Sequence, residues 1–281
     1  MNSKNDLYVY RPKIKSLKKS DPTHFLFIGN SYLYYGDGVH NHVKRMARLD
    51  KGFNSKKNAF MSITISNGGL HEHSLQSYLT PGKLHINEPF NVVILQEGSA
   101  LGWDGNREIL FKNTISDYVR KIREAGGEPV LYMTPAYVKP HELANEGMTD
   151  RLNRIYTETA NEHDLLVIPV GLAFAEAYKE KNDIELHKDF DGTHPSLLGS
   201  ILASCTVYAS IFGNPIGNQY NYFGKISKED LDFYYQNGCK RKNVMAKAGS
   251  LILWDSRTVH CGMEPLSNRI KPNFNPISVC I

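Results

Sequence analysis

The chain has 281 residues, 41% of them hydrophobic and 22% charged, a balance that fits an ordinary folded protein and excludes a disordered, collagenous or coiled-coil composition. No stretch approaches the roughly 20 apolar residues that a bilayer-spanning helix needs, so a membrane is not an expected partner. The formal net charge of +4 comes partly from lysines near the start, which form a short basic tail and not a basic face, and this argues against nucleic-acid binding.

The length allows one large domain, or one of roughly 200 residues with a smaller attachment. Residues 1–22 are polar and basic and lack the apolar core of a secretory signal. They are expected to be a flexible tail, and the protein is expected to be cytoplasmic unless a secretory signal is missing. The cysteines (Cys205, Cys239, Cys261 and Cys280) show no Cys-x-x-Cys pair. Neither a disulfide framework nor a zinc site is indicated.

From Thr23 to Pro215 short β-rich runs alternate with longer helical ones. His24–Ile28 reads as a buried strand ending at Gly29, and Val39–Leu49 places Val39, Val43, Met46 and Leu49 at helical spacing. Ala59–Ser66 alternates and stops at Asn67-Gly68-Gly69, a strand followed by a sharp turn. Asn91–Leu95 is a third strand. Glu108–Ala125 is an amphipathic helix that Gly126-Gly127 stops. Pro129–Met133 and Leu165–Val170 read as further strands, and about 150–163, Leu172–Lys181 and Leu197–Phe212 as helices. This alternation implies an α/β domain with a parallel sheet covered on both faces, and ligands of such sheets bind beyond the carboxyl ends of the strands. Beyond Pro215 the alternation stops. Residues 23–215 are therefore taken as one domain and 216–281 as a separate segment.

Two stretches carry candidate chemistry. Ser31, directly after the first strand in Gly29-Asn30-Ser31-Tyr32, has its hydroxyl on a strand-to-helix turn, where amide N–H groups can receive developing negative charge. Taken alone, it equally reads as a helix cap. The loop Asp189–Pro195 contains Asp191 and His194, three residues apart. This spacing lets the carboxylate fix the tautomer and orientation of a histidine acting as base. Alone, that loop reads as a solvated helix entry, with Pro195 at the first position of the following helix. Gly68 or Gly69 can offer a backbone N–H to an oxyanion, and Gln96 can offer a side-chain amide.

Gly29-Asn30-Ser31, the Gly68-Gly69 turn, Leu95-Gln96-Glu97-Gly98-Ser99 and Asp191-Gly192-Thr193-His194-Pro195 occur in this order after the matching elements. Together they resemble the blocks of the SGNH (GDSL-like) hydrolase superfamily over about residues 23–215, nearest to its branch with a GNS nucleophile block. The resemblance implies a three-layer, flavodoxin-like α/β/α fold and a serine esterase or deacetylase with no cofactor and no metal. It implies Ser31 as nucleophile, His194 as base and then acid, and Asp191 as its orienter. The oxyanion hole would come from the N–H of Ser31, from Gly69 or Gly68, and from Gln96 standing in for the missing Gly-x-Asn. The implied substrate is a small-molecule ester, with an acetyl-like group on a carbohydrate as the family-level expectation. Asn30, Tyr32 and Trp103 are candidate substrate contacts. Tyr32, Tyr34, Tyr35, Tyr137 and Trp103 fall near predicted strand ends, where they can stack on sugar rings or pack the fold. The pairs His40/His42 and His71/His73 lack partners at ligand spacing and are not read as a metal site.

Residues 248–262 (AGSLILWDSRTVHCG), with Arg269 nine positions after His260, resemble the end of phytanoyl-CoA dioxygenase-like proteins. In those, the matching histidine binds Fe(II) and the arginine grips 2-oxoglutarate. A working site needs two histidines and a carboxylate, and about 60 residues are too few for the barrel that holds them. The segment is therefore expected to be a partial, non-catalytic β-rich module. Besides the esterase, two other readings stand: a binding module for acylated carbohydrate that has lost turnover, and a fragment of an Fe(II)/2-oxoglutarate oxygenase.

Overall fold

The computed structural model describes residues 10–49, 53–54 and 57–213, and the backbone of 241–247, 259–262 and 274–280. The chain divides into two compact units, Met1–Gly224 and Lys225–Ile281.

The first unit is built on strands that are apolar on both faces. These are β1 (His24–Gly29), β2 (Ala59–Thr64), β3 (Val92–Gln96), β4 (Glu128–Tyr132) and β5 (Leu166–Ile168). They form one parallel sheet in the order β2-β1-β3-β4-β5. Side chains alternate across the sheet. Phe25, Phe27, Val92 and Ile94 enter one core layer, and Leu26, Ile28, Val93 and Leu95 enter the other. The first layer is closed by α2 (Val39–Ala47), α6 (Val170–Glu180) and α7 (Leu197–Phe212), through residues such as Val43, Phe174 and Val207. The second is closed by α4 (Gly105–Glu124) and α5 (Met148–His163), through Ile115, Ile122 and Leu152. Each such buried aliphatic or aromatic side chain contributes about 1.5–3 kcal/mol, so the two layers supply the driving force for the three-layer arrangement. Short helices α1 (Ser31–Tyr34) and α3 (Leu75–Leu79) fill strand-end connections.

This is the expected three-layer α/β/α fold, and its strand order places the topological switch point between β1 and β3. The two helix layers leave the chain from β1 toward one face and from β3 toward the other. The crevice at their carboxyl ends is therefore bordered by Asn30-Ser31 and by Glu97-Gly98.

Residues 10–22 do not form the flexible tail expected for 1–22. Ile14 makes a parallel bridge to Leu166 on the edge strand, the Lys13 N–H donates to Asn161 Oδ1 at 2.7 Å, and the Lys18 N–H donates to the Glu128 carboxylate at 3.0 Å. An open β5 edge offers unpaired backbone groups, and the strap meets that edge at the Ile14–Leu166 bridge. Among the described residues, no helix is long and apolar enough to cross a membrane.

The second unit contains an antiparallel sheet of β6 (Arg241–Lys247), β7 (Val259–Gly262) and β8 (Phe274–Cys280) in the order β6-β8-β7. His260 lies on β7, opposite Val279. Arg269 and the apolar run 251–254 lie outside the described residues.

Candidate active site

β1 ends where a side chain has no room. A Cβ on Gly29 would overlap the Gln96 side chain from the adjacent β3. The chain then turns through Asn30, extended at φ −133°, and enters α1 at Ser31. Asn30 is fixed at three points. Its N–H donates to Gln96 Oε1 at 2.8 Å, its side-chain amide donates to the Gly68 carbonyl at 2.9 Å, and its side-chain oxygen faces the Tyr32 N–H at 3.4 Å. An ionised aspartate has no hydrogen to give Gly68, so asparagine is what lets this residue tie the end of β1 to the turn after β2.

The loop before α7 is held just as closely. The Lys188 N–H donates to the His194 carbonyl at 2.7 Å, and the Gly192 N–H donates to the Lys188 carbonyl at 3.0 Å. Gly192 takes φ +63°, and a Cβ there would collide with the Val138 carbonyl, so glycine is required. Leu197, and not Pro195, takes the first helical position, and Ser196 is the N-cap. Its hydroxyl accepts from the Gly199 N–H at 3.0 Å, and Pro195 stands one residue outside.

These two segments bring Ser31, His194 and Asp191 together across 163 residues of sequence. His194 Nε2 lies 2.8 Å from Ser31 Oγ, and His194 Nδ1 lies 2.7 Å from Asp191 Oδ2. The other Asp191 oxygen accepts the N–H groups of Thr193 (2.9 Å) and His194 (3.0 Å). A carboxylate only accepts, so the proton of a neutral imidazole sits on Nδ1. Nε2 is left with its lone pair toward the serine hydroxyl. Burial pushes the Asp191 carboxyl up, but the Thr193 N–H and the groups of His194 outweigh it and hold it below the usual carboxylate range. The Tyr35 ring stacks on the imidazole, with centroids 4.3 Å apart.

Several expected contributors do other work. Gln96 is fully buried, its oxygen accepts from Asn30 and its amide donates one hydrogen to the Glu97 carbonyl at 2.6 Å, so these bonds tie the end of β3 to the end of β1. The Gly68 N–H closes a turn onto the Ile65 carbonyl. The Gly69 N–H donates to Glu72 Oε2 at 2.7 Å, so it reaches another acceptor only when Glu72 releases it. Asn30 and Tyr32 are buried, with their polar atoms engaged inside the protein, and they do not face a substrate. Trp103 is 56% exposed and Tyr34 is 42% exposed. Tyr35 covers His194, and Tyr137 stacks on His141 at 3.7 Å. Of the histidine pairs, His73 is buried, with Nε2 against the Gly29 carbonyl, and His42 Nε2 meets the Gly36 carbonyl. Among the described residues, no cluster of three metal-ligating side chains occurs.

Two features escaped the sequence. Glu97 is buried, and its carboxylate accepts from the Leu70 N–H (2.9 Å) and the Gly98 N–H (2.8 Å), which stitches the Gly69 turn to the end of β3. Burial pushes its carboxyl up against the pull of those two amides. A cavity of about 330 Å³ adjoins this turn, lined by Asn67, Gly69, Glu72, Glu97, Arg107 and Phe111 among others. Phe190, one residue before Asp191, is 70% exposed. An acidic residue after a buried strand and an aromatic in a polar loop carry no pattern that marks these roles in advance.

No protein-family model and no curated protein matches the chain. Solved structures do. A candidate SGNH hydrolase from Slackia heliotrinireducens superposes with a TM-score of 0.54 at 20% identity, covering 68% of this chain and 99% of that one. The acetyl xylan esterase AlAXEase gives 0.54 at 16% identity, with 67% and 99% covered. A catalytic mutant of Axe2, an acetylxylan esterase from Geobacillus stearothermophilus, gives 0.52 at 16% identity, with 75% and 100% covered. The α/β domain therefore has the fold of these SGNH-type hydrolases. The comparisons lend no support to the dioxygenase resemblance of the C-terminal segment.

Proposed function

We propose that the protein is a serine esterase that removes short acyl groups from a small-molecule ester. The observation that carries this is the continuous chain from Ser31 Oγ to His194 Nε2 (2.8 Å) and from His194 Nδ1 to Asp191 Oδ2 (2.7 Å). In this reading Ser31 attacks the ester carbonyl as its proton passes to His194, whose other nitrogen is held protonated by Asp191. The imidazolium then gives the proton to the departing alcohol. Water repeats the sequence on the acyl-enzyme, returning Ser31 and releasing the acid. The N–H of Ser31 receives the oxyanion, joined by that of Gly69 once Glu72 lets go.

An acetyl group on a carbohydrate is the preferred substrate class. Two of the similar structures are described as acetyl xylan esterases. The half-exposed Trp103 and the cavity beside Gly69 supply an aromatic face and polar surroundings of the kind that sugars use. A binding module without turnover is the weaker reading, because the serine and its base stand in hydrogen-bond contact. The test is hydrolysis of p-nitrophenyl acetate and of acetylated xylo-oligosaccharides by the wild type and by Ser31→Ala. Turnover that vanishes with the hydroxyl supports the proposal. Turnover that survives in Ser31→Ala overturns it.

A further inference from the structure

Tyr32 follows Ser31 directly and is 6% exposed. Its hydroxyl lies 2.6 Å from Thr193 Oγ1 and 2.7 Å from Ser99 Oγ, and Ser99 Oγ lies 2.6 Å from the Pro135 carbonyl oxygen. Four connections therefore meet in one chain of hydroxyls: those after β1, β3 and β4, and the loop that carries Asp191 and His194.

The direction of this chain follows from proton counting. The Ser99 hydrogen is shared between two acceptors, the Tyr32 hydroxyl oxygen and the Pro135 carbonyl. The Tyr32 oxygen accepts from Ser99, which leaves the Tyr32 hydrogen for Thr193 Oγ1. Burial pushes the Tyr32 hydroxyl well above the ordinary tyrosine value, with desolvation the largest cause, so it keeps its hydrogen throughout the working range. Thr193 is thus held on two sides. Its N–H binds Asp191 Oδ1 at 2.9 Å, and its side chain is tied through Tyr32 to the sheet ends. His194 is the next residue, and the Tyr32 ring lies 6.0 Å from its imidazole, centroid to centroid.

We infer that Tyr32 is a positioning residue for the hydrolysis proposed above, setting through Thr193 where His194 stands relative to Ser31. The inference rests on that esterase reading. Loosening the base by a fraction of an ångström leaves substrate binding alone and slows the chemical step.

The experiment compares wild type, Tyr32→Phe, Thr193→Val, the double variant and Thr193→Ser, using p-nitrophenyl acetate kinetics and the rate of fluorophosphonate labelling of Ser31. Tyr32→Phe and Thr193→Val are each expected to lower kcat roughly ten- to hundredfold with KM little changed. The double variant should be no worse than the poorer single, because both remove the same bond. Thr193→Ser, which restores a hydroxyl, should recover most of the loss. Thr193→Val is isosteric and half-buried, so it tests the same bond should Tyr32→Phe fail to fold. Wild-type kcat in Tyr32→Phe or Thr193→Val, strictly additive losses, or no recovery in Thr193→Ser would each overturn the inference while the esterase reading stands. A wild-type protein that neither turns over nor labels overturns both.

Discussion

Replacing Asp191 by asparagine leaves the side-chain shape almost unchanged and reverses the hydrogen-bond sense at the centre of the site. Oδ1 accepts two backbone N–H groups, from Thr193 and His194, and Oδ2 accepts from His194 Nδ1. In Asp191→Asn the amide oxygen stays with the two backbone donors, since turning the amide over would set its NH₂ against both. The NH₂ therefore faces Nδ1, which must now accept, and the imidazole proton moves to Nε2. Nε2 then points a hydrogen at Ser31 Oγ where a lone pair is needed. A wrong tautomer of this kind costs roughly four powers of ten in kcat, or about 5.5 kcal/mol of barrier at about 1.36 kcal/mol per decade. The loop itself keeps its backbone bonds, so thermal stability should barely move. The assay is kcat on p-nitrophenyl acetate beside a thermal melt. A variant that keeps about a tenth or more of wild-type kcat would refute the tautomer argument and the role given to Asp191.

Two further outcomes follow from the same geometry. Gly192→Ala forces a left-handed backbone on a residue with a side chain and drives its Cβ into the Val138 carbonyl. It should cost about 2 kcal/mol of stability and most of the activity, read by urea unfolding and kinetics, and a neutral substitution would show that the loop adapts. Burial pushes His40 and His187 down to about 4 from 6.5, so both are neutral in the folded protein and charge more readily when unfolded. Stability from this source is fully present above pH 6.5 and is lost as pH falls from 6.5 toward 4. Urea melts across that window should show the decline, and His187→Gln should make it shallower. An unchanged slope would mean that His187 is not held neutral.

The elements that position the site are legible in the sequence because burial writes them there. Strands covered on both faces read as short apolar runs, and α2, α4 and α7 show helical spacing. Ser31, Asp191 and His194 are legible because the proposed hydrolysis would need those types after those elements. The oxyanion side is less so. Gln96, Gly68 and Gly69 look like free donors in one dimension, but a buried amide must be satisfied, and each finds its acceptor within a few residues or on the neighbouring strand. Tyr32 misleads for a related reason. An aromatic beside a nucleophile suggests a stacking surface, whereas its hydroxyl partners, Ser99 and Thr193, lie 67 and 161 residues away and become visible only when the loops meet. The strap of residues 10–22 is equally hidden, because polar and basic side chains give no sign that the backbone beneath them bridges to the β5 edge at Ile14.

The most direct test of the central claim is to treat the purified protein with a fluorophosphonate and map the adduct by peptide mass spectrometry. A serine activated as described predicts one adduct, on Ser31, absent from Ser31→Ala and strongly slowed in His194→Ala. No adduct on the wild type, or undiminished labelling of Ser31→Ala, would contradict it.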